Sequence, residues 1–175
     1  MLVLVIGGSG SGKSEYAEQR CMEFSRGKKL YIAAMQPSDE ESIVRVARHR
    51  EMRNGRGFDT LECYTHLEEA VIPPCDTVLL ECLSNLLANE MFSPAGRQDA
   101  AQAVSAITEG VKRLAKLACH VVVVTNQVFS DGVIYTPETE VYRQCLAKIN
   151  REIAEIADEV VEAVHGIPVR LKENF

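Results

Sequence analysis

Several features that would assign this chain to a familiar class of protein are missing from its sequence. None of its apolar runs approaches the ~18–20 residues that a helix needs to cross a bilayer. The six cysteines form no C-x-x-C pair and fit no zinc spacing, so we expect structural thiols in a reducing compartment. Positive charge is not in excess, and a net charge of −6 provides no general electrostatic attraction to nucleic acid.

Targeting and linker segments are also missing. The N-terminus has no basic region, and its first apolar run is too short for a secretory signal, so we expect a cytoplasmic location. The sequence shows no internal repeat, low-complexity tract or linker. A length of 175 residues with 46% hydrophobic content suits one domain over residues 1–175.

A glycine-rich loop follows the first apolar run. Residues 1–14 read MLVLVIGGSGSGKS, which predicts a buried strand over 2–6 and then matches G-x-x-x-x-G-K-[ST] without a mismatch. Glycines let backbone N–H groups wrap around phosphate oxygens, and a helix that begins near Lys13 adds the positive end of its dipole. In this motif Lys13 reaches the β- and γ-phosphates, and Ser14 offers its hydroxyl to Mg²⁺. The loop therefore predicts a nucleoside triphosphate site rather than a glycine turn that binds nothing.

Strand-like and helix-like segments alternate along the rest of the chain. Strands are predicted over residues 2–6, 29–34, 77–80, 120–125 and 167–171. Helices are predicted over 15–24, from a capping box at Ser38 and Glu41 to about residue 52, over 98–117, and from Tyr142 onward with a 3.6-residue period. This alternation predicts an α/β fold of the P-loop NTPase type, a mostly parallel sheet flanked by helices.

Ligands of such a sheet bind beyond the carboxyl ends of its strands. Glu81 follows an apolar strand and resembles the Walker-B acid that orients Mg²⁺. The alternative is an acid that simply leaves the core at a strand end. Asn126 and Gln127 follow the next strand, where ligand-facing residues and ordinary polar residues are equally common.

A basic segment carries one of the four histidines. In a helix, Arg45, His49 and Arg53 would share one face, with Arg48 adjacent. Arginine forks suit phosphate oxygens, and the surrounding cations disfavour imidazolium, which would keep His49 neutral and nucleophilic. Spacing alone nevertheless favours a solvated basic face. The other three histidines are expected to be structural or exposed.

Further motifs follow one another in a specific order. They are GGSGSGKS (7–14), YIAA (31–34), RVARH (45–49) with Arg53, FDTLE (58–62), LLEC (79–82), VTNQ (124–127), YRQCLAKINR (142–151), ADEV (157–160) and GIP (166–168). Over nearly the whole chain, this ordered set resembles the bifunctional adenosylcobinamide kinase / adenosylcobinamide-phosphate guanylyltransferase family of cobalamin biosynthesis.

The resemblance implies two reactions. A nucleoside triphosphate phosphorylates the aminopropanol hydroxyl of adenosylcobinamide, and GTP then donates GMP to that phosphate, giving adenosylcobinamide-GDP and pyrophosphate. The family's covalent GMP-histidine falls on His49, with Lys13 as the other catalytic residue. The implied cofactor is Mg²⁺, and the implied substrates are adenosylcobinamide, its phosphate and GTP, with ATP left open as phosphoryl donor. The family's compact oligomers imply a homotrimer.

The family's nucleotide contacts also carry over onto this chain. They fall on Gly7, Gly8, Ser9, Gly10, Ser11, Gly12, Lys13, Ser14, Ala33, Ala34, Met35, Arg50, Glu51, Met52, Arg53, Glu62 and Glu81. Of these, Ser14 and Glu81 would hold the metal.

Some positions depart from the family pattern. The chain has Gly10 for an arginine, Ala34 for a threonine, Gln127 for a glutamate and Gln144 for an aspartate. These changes remove groups that could serve the kinase reaction, so we expect guanylyl transfer to be the better preserved half. The alternatives are a P-loop kinase for another small molecule without guanylyl transfer, and a degenerate GTP-binding protein.

Overall fold

The computed structural model describes residues 1–37, 40–127 and 135–173. Within α2 (Glu40–Arg53), six side chains also lie outside the described part, those of Glu41, Ser42, Arg45, His49, Met52 and Arg53. The predicted cap at Ser38 lies outside the described residues as well, so that prediction stays a prediction.

Strands and helices alternate through most of the described chain. The strands are β1 (Leu2–Gly7), β2 (Lys29–Ala33), β3 (Phe58–Glu62), β4 (Thr77–Glu81), β5 (His120–Asn126), β6 (Glu159–Val164) and β7 (Ile167–Glu173). Besides α2, the helices are α1 (Lys13–Phe24), α3 (Leu83–Phe92), α4 (Ala100–Leu117) and α5 (Pro137–Ile156). None of these helices is long and apolar enough to cross a membrane.

All the described strands join one sheet, in the order β3-β2-β4-β5-β1-β6-β7. Every neighbouring pair is parallel except β6 and β7, which are antiparallel. His165 and Gly166 join that pair in a tight turn with φ of 50° and 82°, and a connection this short permits only an antiparallel hairpin. The predicted mostly parallel sheet is confirmed.

Helices cover both faces of the sheet. On one face α1 packs Ala17 and Cys21 against Val3 and Val5. On the other face α3, α4 and α5 bury a larger set of leucine, isoleucine and valine side chains. Because the central strands are covered on both faces, their sequences are continuous apolar runs rather than alternating ones. The predicted flanking helices are confirmed.

Three elements were not predicted from the sequence: β3, α3 and β6. Strand β3 lies at an edge, where most of its side chains remain solvent-accessible and its apolar signal is therefore weak. Helix α5 was predicted from residue 142 but begins at Pro137, where Thr136 accepts a hydrogen bond from the Thr139 amide at 3.3 Å.

All six cysteines lie in the described part of the chain and are free thiols. Cys21, Cys63 and Cys82 are buried, and burial raises the pKa of the Cys63 thiol to about 11. Thiols in such surroundings remain protonated and unreactive near neutral pH, which fits the expected structural role.

Candidate nucleotide site

The loop between β1 and α1 closes on itself through its own backbone. Gly10 and Gly12 have φ of 70° and 87°, a region that favours glycine. A Cβ at Gly12 would also lie 3.0 Å from the Cα of Gly166, so both conformation and space require glycine there. Lys13 Nζ donates to the Gly8 carbonyl at 2.9 Å. The loop therefore has the closed geometry that a phosphate-binding loop requires.

The strand register brings polar residues to one edge of the sheet. Ala33 lies beside Glu62 on one side and beside Glu81 on the other. Asn126 lies beside Gly7, the first residue of the loop. Because these strands run parallel, their carboxyl ends together form the rim expected to bind a ligand.

Glu81 joins the loop to this rim. Its carboxylate is buried and accepts a very short hydrogen bond from the Ser14 hydroxyl. The Tyr31 hydroxyl donates to its other oxygen at 3.1 Å. The structure thus brings together the two predicted metal residues and adds Tyr31, which sequence reasoning did not select as a site residue.

The opposite wall is built around Glu62. Arg50 donates to its Oε1 at 2.8 Å, and the Tyr64 hydroxyl donates to its Oε2 at 3.0 Å. Burial and the adjacent Glu62 raise the pKa of the Tyr64 phenol, which keeps it a hydrogen-bond donor at neutral pH. Arg50 comes from α2, so this ion pair links the basic helix to strand β3.

One cavity of about 690 Å³ connects the loop and this wall, a size in the range of small-molecule sites. It is lined by loop residues 9–15, by Tyr31, Ala33 and Met35, by Val46, Arg48 and Arg50, by Thr60, Glu62 and Tyr64, and by Glu81, Cys82, Asn85 and Asn126. Most of the predicted nucleotide contacts therefore face one space.

Some predicted contacts do not line this cavity. Gly7, Gly8 and Glu51 are outside its lining, and Ala34 is fully buried, with its carbonyl accepting from Asn89 at 2.9 Å. The side chains of His49, Met52 and Arg53 lie outside the described part.

Position 49 belongs to α2. Two residues close to it in that helix line the cavity, Val46 and Arg50. The role of His49 stays a prediction.

The other three histidines are described. His66 contacts Arg97 through Nδ1 at 2.6 Å, and its Nε2 pairs with the Ala95 carbonyl at 2.9 Å. The His120 ring stacks on Phe24 with ring centroids 4.9 Å apart, and His165 is exposed. These positions agree with the structural or exposed roles expected for them.

Beyond Tyr31, sequence reasoning missed Asn85 and Tyr64. Asn85 lies in the first turn of α3, a helix that was not predicted, so no sequence signal placed it. Tyr64 follows Glu62 at an interval of two, which is a weak sign that both side chains project to one side of an extended segment.

Comparison with known proteins adds to this geometry. A family model described as cobinamide kinase / cobinamide phosphate guanyltransferase matches residues 3–171. The chain belongs to the cobinamide kinase / cobinamide phosphate guanyltransferase family. The predicted family is confirmed. The predicted function is confirmed with it: the chain is an enzyme of cobalamin biosynthesis, a kinase and guanylyltransferase that uses nucleotides and small-molecule substrates.

Whole-length relatives support this cobinamide kinase / guanyltransferase assignment. The bifunctional adenosylcobalamin biosynthesis protein CobU of Salmonella typhimurium is 33% identical over 187 residues, covering 98% of this chain and 100% of the relative. Its Escherichia coli counterpart is 34% identical with the same coverage. The bifunctional adenosylcobalamin biosynthesis protein CobP of Pseudomonas aeruginosa is 30% identical over 178 residues, 97% of this chain and 96% of the relative.

A solved structure has a similar fold. The flagellar accessory protein FlaH from Methanocaldococcus jannaschii matches with a TM-score of 0.50 and 13% identity, over 99% of this chain and 78% of that one. At this identity the likeness concerns the fold alone. Together with the parallel sheet, it confirms the predicted P-loop NTPase-like α/β class.

Proposed function

We propose that this chain phosphorylates adenosylcobinamide and then transfers GMP from GTP to adenosylcobinamide phosphate through a covalent GMP adduct on His49. The observation that carries this proposal is the single cavity bounded by the phosphate-binding loop on one side and by Val46 and Arg50 of α2 on the other. Both partners of the proposed displacement, the triphosphate and the helix that bears the histidine, thus share one space.

Within this cavity we place the triphosphate on the loop and the guanosine toward β3. Among the carboxylates that line the cavity, Glu62 is the farthest along the rim from the loop, because it ends β3, four strand positions from β1, which leads into the loop. A carboxylate offers about four lone-pair sites, so Glu62 can accept further hydrogen bonds beside those from Arg50 and Tyr64. Guanine presents two adjacent N–H donors, which suits such an acceptor. Ala33 and Met35, which line the cavity between these ends, would contact the nucleoside.

The first displacement forms a bond between a His49 ring nitrogen and the α-phosphorus. The bond from that phosphorus to the β-phosphate oxygen breaks, and pyrophosphate leaves onto the loop. The neutral imidazole attacks with its lone pair and keeps the proton on its other nitrogen. Lys13 and the loop N–H groups neutralise the leaving charge, because the loop motif directs such groups at the β- and γ-phosphates.

Ser14 and Glu81 fit a magnesium site. They supply a hydroxyl and a buried carboxylate that lie in hydrogen-bonding contact, and Mg²⁺ in nucleotide sites binds oxygen donors of this kind. When bound there, Mg²⁺ neutralises charge on the β- and γ-phosphates. The Tyr31 hydroxyl holds this carboxylate in place by donating to its Oε2 at 3.1 Å.

The proposal includes one domain over residues 1–175 and a cytoplasmic location, which the length and the N-terminal sequence favour, and a homotrimer, which the family resemblance implies. Exposed apolar side chains on edge strand β7 support self-association, since Ile167 and Leu171 are 65% and 57% exposed. Cell fractionation and light scattering of the purified protein test location and oligomeric state.

Covalent labelling tests the central step. Incubation with α-labelled GTP should leave acid-labile, alkali-stable label on the protein, and His49→Ala should abolish it. A matched control is His165→Asn, which replaces an exposed histidine outside the cavity lining at φ 50°, a conformation that asparagine tolerates. Equal labelling of the His49 variant would rule out the histidine assignment.

Two further outcomes identify the alternatives. Transfer of γ-label from ATP without a GMP adduct would indicate a kinase alone. Tight GTP binding without turnover on adenosylcobinamide phosphate would indicate a binding protein that has lost its catalytic activity.

A further inference from the structure

Part of the cavity is not used by the proposed nucleotide placement. Asn85 and Asn126 line it, and neither belongs to the nucleotide contacts of the resemblance. Asn126 ends β5, which lies between β4, the strand that ends in Glu81, and β1, the strand that leads into the loop. Glu62 ends β3, which is separated from β4 by β2. Asn85 lies on α3, which packs against β5. The two asparagines therefore lie at the loop end of the cavity, away from the Glu62 wall.

The side-chain amides of Asn85 and Asn126 differ in their hydrogen bonds. Asn126 Nδ2 donates to Ser84 Oγ at 2.7 Å, and Ser84 is itself fixed by Tyr142, whose hydroxyl donates to the Ser84 carbonyl at 3.0 Å. Asn85 is half-buried, and its side-chain amide has no hydrogen-bond partner within residues 1–37, 40–127 and 135–173. One amide is thus oriented in advance, and the other keeps its hydrogen-bonding capacity for a ligand.

In-line chemistry places the acceptor at the same end. In the first displacement the imidazole attacks opposite the leaving pyrophosphate. In the second, the acceptor oxygen must attack opposite the bond between phosphorus and nitrogen, which is the position that pyrophosphate vacated. Phosphorylation likewise requires the acceptor hydroxyl beyond the γ-phosphate. Both reactions therefore bring the acceptor to the loop rather than to the wall formed by Arg50 and Glu62.

We propose that Asn85 and Asn126 form the acceptor subsite for both reactions, a conclusion that rests on the proposed function. The acceptor is an amide-substituted alcohol or its phosphate ester, and neutral amides can donate to phosphate and exchange hydrogen bonds with carboxamides without repelling either form. In the transfer step, an acceptor phosphate oxygen bonds to the GMP phosphorus as the phosphorus–nitrogen bond breaks. The electron pair returns to the imidazole, which leaves neutral and needs no other reactant.

Separate half-reactions test this assignment. The GMP adduct is first formed from α-labelled GTP without acceptor, and the isolated adduct is then chased with increasing adenosylcobinamide phosphate. For Asn85→Ala and Asn126→Ala we expect adduct formation within about twofold of the unsubstituted protein, but a half-saturating acceptor concentration raised about tenfold. Normal adduct formation also shows that each variant is folded.

Two further variants sharpen the result. Asn85→Asp keeps the size of the side chain but adds negative charge, so it should impair transfer to the phosphate acceptor more than phosphorylation of the alcohol, a split that a purely structural role would not produce. Asn54→Ala is the control, because Asn54 borders a second cavity beyond Arg50 and Glu62. It should leave the acceptor dependence unchanged.

The outcomes separate the two proposals. An unchanged acceptor dependence in both alanine variants, or an increase with Asn54→Ala instead, overturns the subsite. A missing adduct in the unsubstituted protein overturns the proposed function. In that case phosphorylation of adenosylcobinamide tests the subsite. The Asn85 and Asn126 variants must still raise the KM for that alcohol. An unchanged KM overturns the subsite.

Discussion

At the scale of single residues, Glu81 is where the loop and the sheet meet. Ser14 of α1 and Tyr31 of β2 donate to its two oxygens, and both residues are far from Glu81 in sequence. The carboxylate is buried, and a buried carboxylate is stable only when donors satisfy its oxygens. Tyr31 is therefore a positioning residue that holds the Glu81 carboxylate beside Ser14 of the glycine-rich loop.

Removing the Tyr31 hydroxyl tests this role. Tyr31→Phe should cost about 1–3 kcal/mol of the interactions that orient Glu81, because one hydrogen bond to a charged group is lost. We expect the Mg²⁺ concentration that half-saturates adduct formation to rise several-fold, measured by titration at fixed GTP. Tyr16→Phe is the matched control, since the Tyr16 hydroxyl has no hydrogen-bond partner in the described chain. Equal Mg²⁺ dependence in the two variants would contradict the assignment.

At the scale of elements, a buried ion-pair network holds the segment after β3 against α3. Glu90 is fully buried and accepts hydrogen bonds from the backbone amide of His66 at 2.5 Å and from Arg97 Nη1 at 3.3 Å. Arg97 also donates to Glu68. Tyr64 belongs to this segment, lines the cavity and donates to Glu62, so the network also holds Tyr64 in position beside Glu62.

Breaking this network should destabilise the whole fold. Arg97→Met keeps much of the apolar stem but leaves the buried Glu90 carboxylate without its cation, which we expect to lower the free energy of unfolding by about 3–5 kcal/mol. Urea denaturation followed by circular dichroism measures the change. Lys112→Ala is the control, because it removes only the exposed pair with Glu109 and should leave the free energy of unfolding almost unchanged. A similar stability for the two variants would show that the network contributes little.

At the scale of the whole molecule, the two edges of the sheet differ. Strand β3 forms one edge and closes the nucleotide cavity through Glu62. Strand β7 forms the other and carries exposed Ile167 and Val169 at alternate positions, so these two share one face, while exposed Leu171 lies at the register shift opposite Val160 and Val161. An exposed apolar edge strand is a liability for a monomer, which makes β7 the natural candidate for the proposed self-association.

Charge placed on β7 tests the oligomer. Leu171→Glu should shift the mass measured by light scattering toward the monomer, because burying an unpaired carboxylate in an interface is unfavourable. Val71→Glu is the control, since Val71 is 85% exposed and lies off the strand. If the Leu171 variant keeps the mass of the unsubstituted protein, β7 is not the interface.

The sequence was sufficient to predict those features of the fold and the site that depend on residues adjacent in the chain. The loop could be recognised because its glycines, lysine and serine are consecutive and their geometry depends on their own backbone. The central strands could be recognised because burial on both faces requires unbroken apolar runs such as 120–125. Glu81 could be selected because parallel strands present their carboxyl ends to ligands.

Tertiary structure decided the features that depend on distant segments. Strand β3 and the contacts of Tyr31 and Asn85 depend on which strand lies beside which, and that order is set by packing rather than by residue type. By itself, then, the sequence determined the phosphate-binding loop, the buried strands and the class of fold, since these arise from neighbouring residues. Only the fold decided which side chains meet Glu81 and which line the rest of the cavity, because those contacts join residues about 50 to 120 positions apart that only sheet formation brings together.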